Sequence, residues 1–394
     1  MYPTLYHALL DLLGLDLSVL KFVNSFGFFV ALAFVAASWT LAVELRRKTM
    51  EGMLRSTERS VLVGAPASIG ELLTNALVGF LVGWKGLYLA LHFAEATAEP
   101  QHFLLSGQGS FIGGILLGGL LTGYRWWRKH KERRDEPKVE TMLVQPAEHA
   151  GNITLTAALW GLVGAKLFHW LENPDQFIAF IQHPSGRDIM SGLTMYGGLI
   201  IGGAMVIRYF VRHGIPALAG MDAAAPGLML AYAVGRMGCQ VAGDGDWGIV
   251  NTAHAPSWVP QWLWSYDYPN NVNGVGEPIT DGTCFPGYCT HLVPPVYPTP
   301  LYEILACLLF FGVLWLLRKH LRTPGTLFAV YLMLNGFERF WIEKIRVNVH
   351  VIGNVTQAEI ISTLLFILGL AGFLWLRRRG LPTPSLHGPR TPDP

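Results

Sequence analysis

Charged residues are scarce in this chain of 394 residues, and several familiar catalytic patterns are missing. Only 14% of the residues are charged while 51% are hydrophobic, and the mean hydropathy is +0.36. This balance excludes an ordinary soluble protein. The thirteen histidines show neither the HxH nor the HExxH spacing of metal sites, and no Gly-x-Ser-x-Gly nucleophile motif is present. We therefore predict no metal and no cofactor.

Lys and Arg are absent from residues 1–20, and cysteines are few in the whole sequence. The chain shows no basic n-region of a cleavable signal peptide, so the first apolar run is expected to direct its own insertion. Of four cysteines, Cys284 and Cys289 lie in a polar loop where a disulfide is permitted if the loop is external. Cys239 and Cys307 lie in or near apolar runs and are expected to be packed thiols.

The hydrophobic residues fall in blocks, and a block of about 20 such residues crosses a bilayer. We predict an all-α polytopic membrane protein with about nine transmembrane helices. The predicted spans are 22–43, 68–93, 108–127, 154–172, 193–211, 222–243, 300–317, 325–343 and 356–376.

Lys and Arg are distributed unevenly among the connecting segments. They cluster after the first, third, fifth, seventh and ninth spans, whereas the loop from Asp244 to Thr299 contains none. The positive-inside rule therefore predicts an external N-terminus, an external long loop and a cytosolic C-terminus. The basic cluster Arg128–Arg134 is interpreted as a topology signal beside anionic lipid, in preference to a nucleic-acid site.

One glycine-rich stretch, Gly235–Gly248, joins an apolar run to the long loop. Arg236 stands where the chain is predicted to leave the membrane, with Asp244 and Asp246 just beyond it. An arginine in hydrocarbon is costly unless it faces a protein interior or a polar ligand. Glycines allow close approach to the backbone, and a guanidinium suits a lipid phosphate. The alternative is an arginine that reaches the membrane surface beside turn glycines.

A second group of charges lies where the eighth predicted span ends. Arg339, Glu343 and Arg346 follow at i, i+4 and i+7 and therefore share one face of a helix. This face is either a self-neutralising ion network or a network that leaves one arginine for a ligand. Glu303 lies just inside the seventh span, near the positive end of its helix.

Further polar residues are predicted at a similar depth in other spans. Tyr196 precedes the pair Gly197-Gly198, which lets the backbone face a ligand, although helix packing alone also explains such a pair. Charges that converge from several spans predict one site for an anionic amphiphile of the outer leaflet. Its predicted members are Tyr196, Arg236, Asp244, Glu303, Arg339, Glu343, Arg346 and Glu359.

Together these motifs resemble the phosphatidylglycerol–prolipoprotein diacylglyceryl transferase family. Gly235–Gly248 is similar to the signature of that family, and the resemblance covers about residues 150–376 plus the first span. The further matching motifs are Gly-x-Lys-Leu at 164–167, the Gly-Gly-Leu-Ile run at 197–200, Pro298–Glu303, Arg339–Arg346 and Gln357–Ser362. Since members of the family usually have seven spans, the hairpin 68–127 is expected to be an insertion.

The resemblance implies a reaction and its partners. The diacylglyceryl group of phosphatidylglycerol would pass to the lipobox cysteine thiol of a prolipoprotein, with release of glycerol phosphate. The implied partners are phosphatidylglycerol, prolipoprotein signal peptides and the lipid bilayer, without nucleic acid, at a bacterial inner membrane. The catalytic residues so implied are Arg236, Arg339, Tyr196 and Asp244, and the substrate-binding ones are Arg236, Gly198, Glu303, Glu343 and Arg346.

The chain departs from the family pattern at several of these positions. Tyr196 stands where the family has a histidine proposed as the base, and an unperturbed tyrosine is a poor base at neutral pH. Cys239 and Ala242 replace asparagines, and Asn335 replaces a tyrosine. Thiol activation is then expected from the field of the arginines, or from one of the aspartates that follow Arg236. We prefer a divergent subfamily with the same activity to a paralogue with another substrate.

The predicted organisation has four parts. They are an external amphipathic segment over 1–21, the first span with the inserted hairpin and a cytosolic linker over 22–150, a transferase-like core over 151–376 with the external loop 244–299, and a cytosolic tail over 377–394. The alternative function is a transporter or flippase of an anionic lipid, which buried charges also suit. The absence of matching halves and the placement of the charges near one surface argue against it.

Overall fold

The computed structural model describes residues 1–93, 103, 106–134, 137–183, 188, 191–282, 284–347, 350–353 and 355–379. These residues are mostly helical. The long helices are α2 (Ser25–Met50), α3 (Ile69–Leu91), α4 (Phe111–Lys131), α5 (Ala150–Glu172), α7 (Met195–Arg212), α8 (Ala217–Ala242), α10 (Thr299–Leu317), α11 (Thr326–Glu343) and α12 (Gln357–Arg379). The short helices are α1 (Leu5–Leu13), α6 (Pro174–Gln182) and α9 (Gln261–Trp264).

Within the described residues, each predicted span coincides with one of the long helices. Five of them are long and apolar enough to cross a membrane, namely α2, α3, α8, α10 and α12. Most of the predicted tail, from residue 380 onward, lies outside the described residues. The structure thus has the helical, membrane-type character that the composition predicts.

The strands among the described residues are short and form three separate two-stranded ribbons. They are β1 (Thr57–Val63), β2 (Lys138–Val144), β3 (Glu277–Pro278), β4 (Thr290–His291), β5 (His350–Ile352) and β6 (Val355–Thr356), joined as the antiparallel pairs β1–β2, β3–β4 and β5–β6. The register of the first pair places Thr57 opposite Val144 and Val63 opposite Lys138. An all-α fold was expected, and these ribbons are additions to it.

The chain divides into two compact units. The first comprises Met1–Arg55, Gln145–Trp160 and Gly202–Pro394, and the second comprises Ser56–Val144 and Gly161–Ile201. In the first unit α8 packs against α2, α10 and α11. Close approach requires a small residue on α8: a Cβ atom at Gly227 would lie 3.1 Å from the carbonyl oxygen of Ala37.

A buried carboxylate fixes the start of α11 in the first unit. Asp222 of α8 is fully buried and accepts hydrogen bonds from the backbone N–H groups of Gly325 (2.8 Å) and Phe328 (2.9 Å). These are donors of the first helical turn, which have no partner within their own helix. Lys48 of α2 lies 3.8 Å from the same carboxylate. One side chain therefore links three helices.

The second unit contains the hairpin of α3 and α4 together with the facing parts of α5 and α7. Glycines occupy the α3–α4 contact, where a Cβ at Gly83 would lie 2.1 Å from the oxygen of Gly113. Lys166 of α5 donates to the backbone oxygens of Asp188 and, at 2.8 Å, of Ser191. This lysine, which falls in a predicted span, is therefore satisfied by carbonyl groups inside its own unit.

The long loop after α8 has a small core of its own. Tyr268, Leu292 and Val296 are buried there, with Met1 and Trp247 packed against them. Cys284 and Cys289 form a disulfide bond, which the sequence permitted and left open. Cys239 and Cys307 are buried free thiols, as expected.

Candidate functional site

Three guanidiniums and three carboxylates meet in the first unit, close to the long loop. At this place α8 and α11 end and α10 begins. We call this group the arginine cluster; its members are Arg236, Asp246, Glu303, Arg339, Glu343 and Arg346. The three arginine side chains are only 11–18% exposed. Their charges are therefore less screened by water than charges on the protein surface.

Glu303 is the centre of the arginine cluster. Its side chain is fully buried on the first turns of α10, and it contacts all three guanidiniums. The distances are 2.5 Å to Nε of Arg236, 3.4 Å to Nη1 of Arg339 and 3.4 Å to Nη1 of Arg346. A buried carboxylate among three cations fixes the separation and orientation of those cations.

Arg339 has a second partner on its own helix. Its Nη2 lies 3.0 Å from Oε2 of Glu343, one turn later on α11. The i, i+4 pairing that the sequence predicted is therefore present, while Arg346 turns to a different acid. Nη2 of Arg346 lies 2.6 Å from Oδ1 of Asp246.

Asp246 bridges two guanidiniums from the loop. Oδ2 pairs with Nη1 of Arg236 while Oδ1 pairs with Arg346, and the side chain remains 35% exposed. Burial by itself would raise the pKa of Asp246, but the two guanidiniums outweigh it and hold the pKa below its ordinary value. Asp246 therefore stays ionised at neutral pH, with its charge shared between the two arginines.

Asp244 lies beside the cluster and has different partners. Its Oδ1 accepts the backbone N–H of Asp246 at 3.3 Å, and its carboxyl group lies near the thiol of Cys239, which donates to Oδ2 of Asp246 at 3.7 Å. Burial raises the pKa of Asp244 above its ordinary value. Gly245, at φ +101°, separates the two aspartates; both lie near Cys239, and among the described residues Asp246 is the one that pairs with arginines.

Backbone pairing places the loop against the end of α11. Gly248 forms an isolated antiparallel backbone bridge with Arg346, and the N–H of Ile249 donates to the oxygen of Ile345 at 2.8 Å. A Cβ at Gly248 would lie 2.5 Å from that same Ile345 oxygen, so only glycine fits this approach. Thr299 donates through Oγ1 to the oxygen of Asp246 at 2.7 Å, which anchors the aspartate to the start of α10.

Glu338 is a buried acid of this region that the sequence reasoning did not single out. It precedes Arg339 on α11 and is only 3% exposed. Among the described residues its carboxyl group forms no ion pair, and its polar contact is with Tyr232 of α8. The signal in the sequence was a lone glutamate between apolar residues and an arginine, off the face defined by Arg339, Glu343 and Arg346.

Three other predicted members have different surroundings. Tyr196 and Gly198 belong to the second unit, on α7, where Tyr196 is half-buried. A Cβ at Gly198 would lie 2.9 Å from the oxygen of Gly161, so contact with α5 accounts for the glycine there. Glu359 caps the first turn of α12 by accepting the N–H of Thr356 at 2.9 Å, and it pairs with Lys344.

The arrangement is suited to an oxyanion and poorly suited to a metal ion. Ligand atoms of Cys239, Asp244 and Asp246 lie within 4.8 Å of one another. Two guanidiniums already pair with Asp246, however, and their charge opposes a further cation at that place. Guanidiniums present paired N–H donors that match phosphate oxygens, so the cluster favours a phosphate group.

Comparison with known proteins gives one consistent family. The family model described as prolipoprotein diacylglyceryl transferase matches residues 110–375. The chain is similar to the phosphatidylglycerol–prolipoprotein diacylglyceryl transferase of Corynebacterium efficiens, with 31% identity over 55% of this chain and 64% of the relative.

Two further relatives carry the same name. The protein of Bifidobacterium adolescentis is 31% identical over 60% of this chain and 68% of its own length. That of Corynebacterium glutamicum is 30% identical over 61% of this chain and 74% of its own length. The aligned part therefore spans roughly two thirds of each relative. Every member of the arginine cluster lies within residues 110–375, the region that the family model matches.

Proposed function

Because the chain belongs to the prolipoprotein diacylglyceryl transferase family, we infer that it transfers the diacylglyceryl group of phosphatidylglycerol to a cysteine thiol of a prolipoprotein. It is a membrane transferase of lipoprotein maturation. The feature of this structure that best supports the activity is the arginine cluster, which presents three partly buried guanidiniums at one place. Phosphatidylglycerol brings a phosphodiester, and this is the group that such cations recognise.

The chemistry is a displacement at carbon. The thiol sulfur forms a bond to the glyceryl carbon that carries the phosphate ester, and the bond between that carbon and its oxygen breaks. The electron pair of the broken bond stays on the phosphate, glycerol phosphate leaves, and the thiol proton passes to a base. Preorganised cations stabilise the charge that grows on the leaving phosphate.

Roles for individual residues follow from this chemistry and belong to the proposal. Arg236 and Arg339 clamp the phosphate, and Arg346 supplies a third donor group to it. Glu303 and Glu343 hold the guanidiniums in place, because each contacts at least one of them directly. Asp246 occupies the position between Arg236 and Arg346 until the phosphodiester displaces it.

The orientation in the membrane is also a proposal. We expect nine spans at the long helices, an external N-terminus and a cytosolic C-terminus, in a bacterial inner membrane. The prolipoprotein then presents its lipobox cysteine at the end of its signal peptide to the external side of the arginine cluster. The hairpin of α3 and α4 is an addition to the usual seven-span arrangement, although the family match begins at residue 110 and includes α4.

The activity is tested with purified protein in micelles that contain phosphatidylglycerol and a lipobox peptide. Release of glycerol phosphate and the gain in peptide mass are both followed. We expect the wild type to produce both and Arg236→Ala to lose about 100-fold or more of the rate, as when one preorganised donor is removed. The exposed Arg208→Ala serves as the matched control and should keep full activity.

Two results would contradict the proposal. A wild type that releases no glycerol phosphate, in an assay where an established family member does, would refute the activity. Equal rates for Arg236→Ala and Arg208→Ala would refute the assignment of the phosphate clamp. Movement of labelled phosphatidylglycerol between leaflets without peptide modification would favour a lipid transporter.

A further inference from the structure

The transfer reaction releases one proton from the thiol, and most acids of the arginine cluster are poorly placed to take it. Asp246, Glu303 and Glu343 each pair with at least one guanidinium within 3.4 Å. A carboxylate that is paired with a cation is a weak base, because protonation would break that pair. The proton therefore needs an acceptor that is not paired with a guanidinium. Among the described residues Asp244 and Glu338 are both such acids, and Asp244 lies on the loop side of the cluster, beyond the end of α8.

Glu338 differs from the paired acids in its contacts. Glu338 is only 3% exposed, and in the described part of the chain its carboxyl group forms no ion pair; its polar contact is with Tyr232. A buried carboxyl group that lacks a paired cation costs free energy, so such a group in a native protein calls for an explanation. Arg236 and Arg339 act on Glu338 electrostatically, but among the described residues their ion pairs are formed with the carboxylates of the cluster.

Glu338 lies on the side of the arginine cluster that faces away from the long loop. It interacts electrostatically with Tyr232 and Cys307. Tyr232 precedes Arg236 by one turn of α8, and Cys307 follows Glu303 by one turn of α10, so both lie farther from the long loop than the cluster does. The charged and titratable groups around Glu338 are Tyr232, Arg236, Glu303, Cys307, Tyr331 and Arg339.

A phosphodiester held by the guanidiniums has two sides. Its glycerol side faces the water and the long loop, whereas its diacylglyceryl side runs into the membrane. The reacting carbon lies on the diacylglyceryl side of the phosphate. Glu338 is therefore on the side of the clamp where the new bond between sulfur and carbon forms.

Resting on the proposed transferase activity, we propose that Glu338 is the proton acceptor for the attacking thiol. The S–H electron pair stays on sulfur and becomes the attacking pair, while the proton moves to an oxygen of Glu338. The bond between carbon and the phosphate oxygen breaks, and glycerol phosphate departs with that electron pair. The proton then passes from Glu338 to the departing phosphate or to water, which returns the enzyme to its starting state.

The test compares two acceptor peptides with the Glu338→Gln enzyme. One peptide carries the lipobox cysteine, and the other carries selenocysteine, whose selenol is already ionised at neutral pH and needs no base. On the cysteine peptide we expect kcat to fall about 100-fold with KM nearly unchanged, as for loss of a general base. On the selenocysteine peptide the same variant should lose less than threefold, and Glu140→Gln on the exposed strand β2 should be unaffected with both peptides.

The pH dependence supplies a second measurement. The rate of the wild type on the cysteine peptide should rise with pH as the acceptor loses its proton. In the Gln variant the rise should instead follow the unaided ionisation of the peptide thiol, and the loss relative to wild type should shrink as that thiol ionises. Equal losses on both peptides, or no loss on either, would overturn the assignment. If the Gln variant does not fold, Glu338→Asp replaces it, and a larger loss on cysteine than on selenocysteine is again required.

Failure of this inference is separable from failure of the proposed function. A wild type that modifies neither peptide refutes the transferase activity itself. A wild type that modifies both, with Glu338→Gln equally active on both, leaves the transferase activity intact and excludes Glu338 as the proton acceptor.

Discussion

Two aspartates separated by a single glycine have unequal positions in this protein. Asp246 bridges Arg236 and Arg346, whereas Asp244 accepts the backbone N–H of Asp246 and forms no ion pair among the described residues. The family resemblance associates Asp244 with the acid that follows the signature arginine, but this chain has one extra residue in the stretch. The contacts give Asp246 the closer association with the guanidiniums, so both residues are candidates for that role.

We expect Asp246→Asn to disturb the arginine cluster more than Asp244→Asn does. Loss of the Asp246 charge leaves Arg236 and Arg346 without a shared counter-charge, and we expect the transfer rate to fall about tenfold or more, the range of a lost charged pair. Asp244→Asn should change the rate less than threefold. The measurement is the initial rate of glycerol phosphate release at saturating peptide, and the reverse order of effects would reinstate Asp244 as the functional acid.

Helical spacing explains why most residues of the cluster could be foreseen. Arg339, Glu343 and Arg346 share a face because of their positions along one helix, and Arg236 and Glu303 are conspicuous as charges inside apolar runs. Glu338 was missed because it lies off that face, and its importance depends on neighbours from α8 and α10. The different contacts of Asp244 and Asp246 depend on the path of a loop, which residue spacing does not determine.

At the scale of elements, glycines set how closely α11 approaches α12. A Cβ atom at Gly336 would lie 2.5 Å from the oxygen of Ser362 and 2.9 Å from the nitrogen of Phe366. Both of these are backbone atoms, so they cannot move aside as a flexible side chain would. The helix that carries Arg339 and Glu343 therefore packs closely against α12 at this glycine.

Gly336→Val should separate α11 from α12 and destabilise the protein by about 1–3 kcal/mol, the usual cost of overpacking. The transfer rate should fall as well, because the displaced helix carries two residues of the cluster. Gly312→Ala on α10 is the control, since nothing lies within 4 Å of its added Cβ. Thermal unfolding in detergent measures both variants, and an unchanged midpoint for Gly336→Val would contradict the packing argument.

The positions of the long helices were predictable because apolar runs of bilayer length are the strongest pattern in this sequence. The ribbon of β1 and β2 was not predicted. Its strands are seven residues each, they lack a clean alternation of apolar and polar residues, and they pair across more than 70 intervening residues. Such pairing depends on the hairpin of α3 and α4, which brings the two ends of the ribbon together.

At the scale of the whole molecule, the distribution of basic residues predicts the membrane orientation. The loop Asp244–Thr299 should face the outside and Arg128–Ala150 the cytosol. The native cysteines suit a labelling experiment, because two are buried and two form a disulfide. New cysteines can therefore be introduced at exposed positions with little background.

Ser257→Cys should react with a membrane-impermeant thiol reagent in intact cells from which any outer layer has been removed. Glu132→Cys should react only after the membrane is permeabilised. The wild type is the control and should remain unlabelled under both conditions. Labelling of Glu132→Cys in intact cells, with protection of Ser257→Cys, would reverse the proposed orientation.

The charge balance of the arginine cluster has a consequence for turnover. Glycerol phosphate carries more negative charge than the phosphodiester from which it came, so bare arginines would retain the product more tightly than the substrate. Here the cations already have their own carboxylates, and Asp246 extends from a loop with positive φ at Gly243 and Gly245. As that carboxylate returns to Arg236 and Arg346, it competes directly with glycerol phosphate for the guanidiniums. The enzyme's own aspartate therefore promotes product release before the next lipid binds.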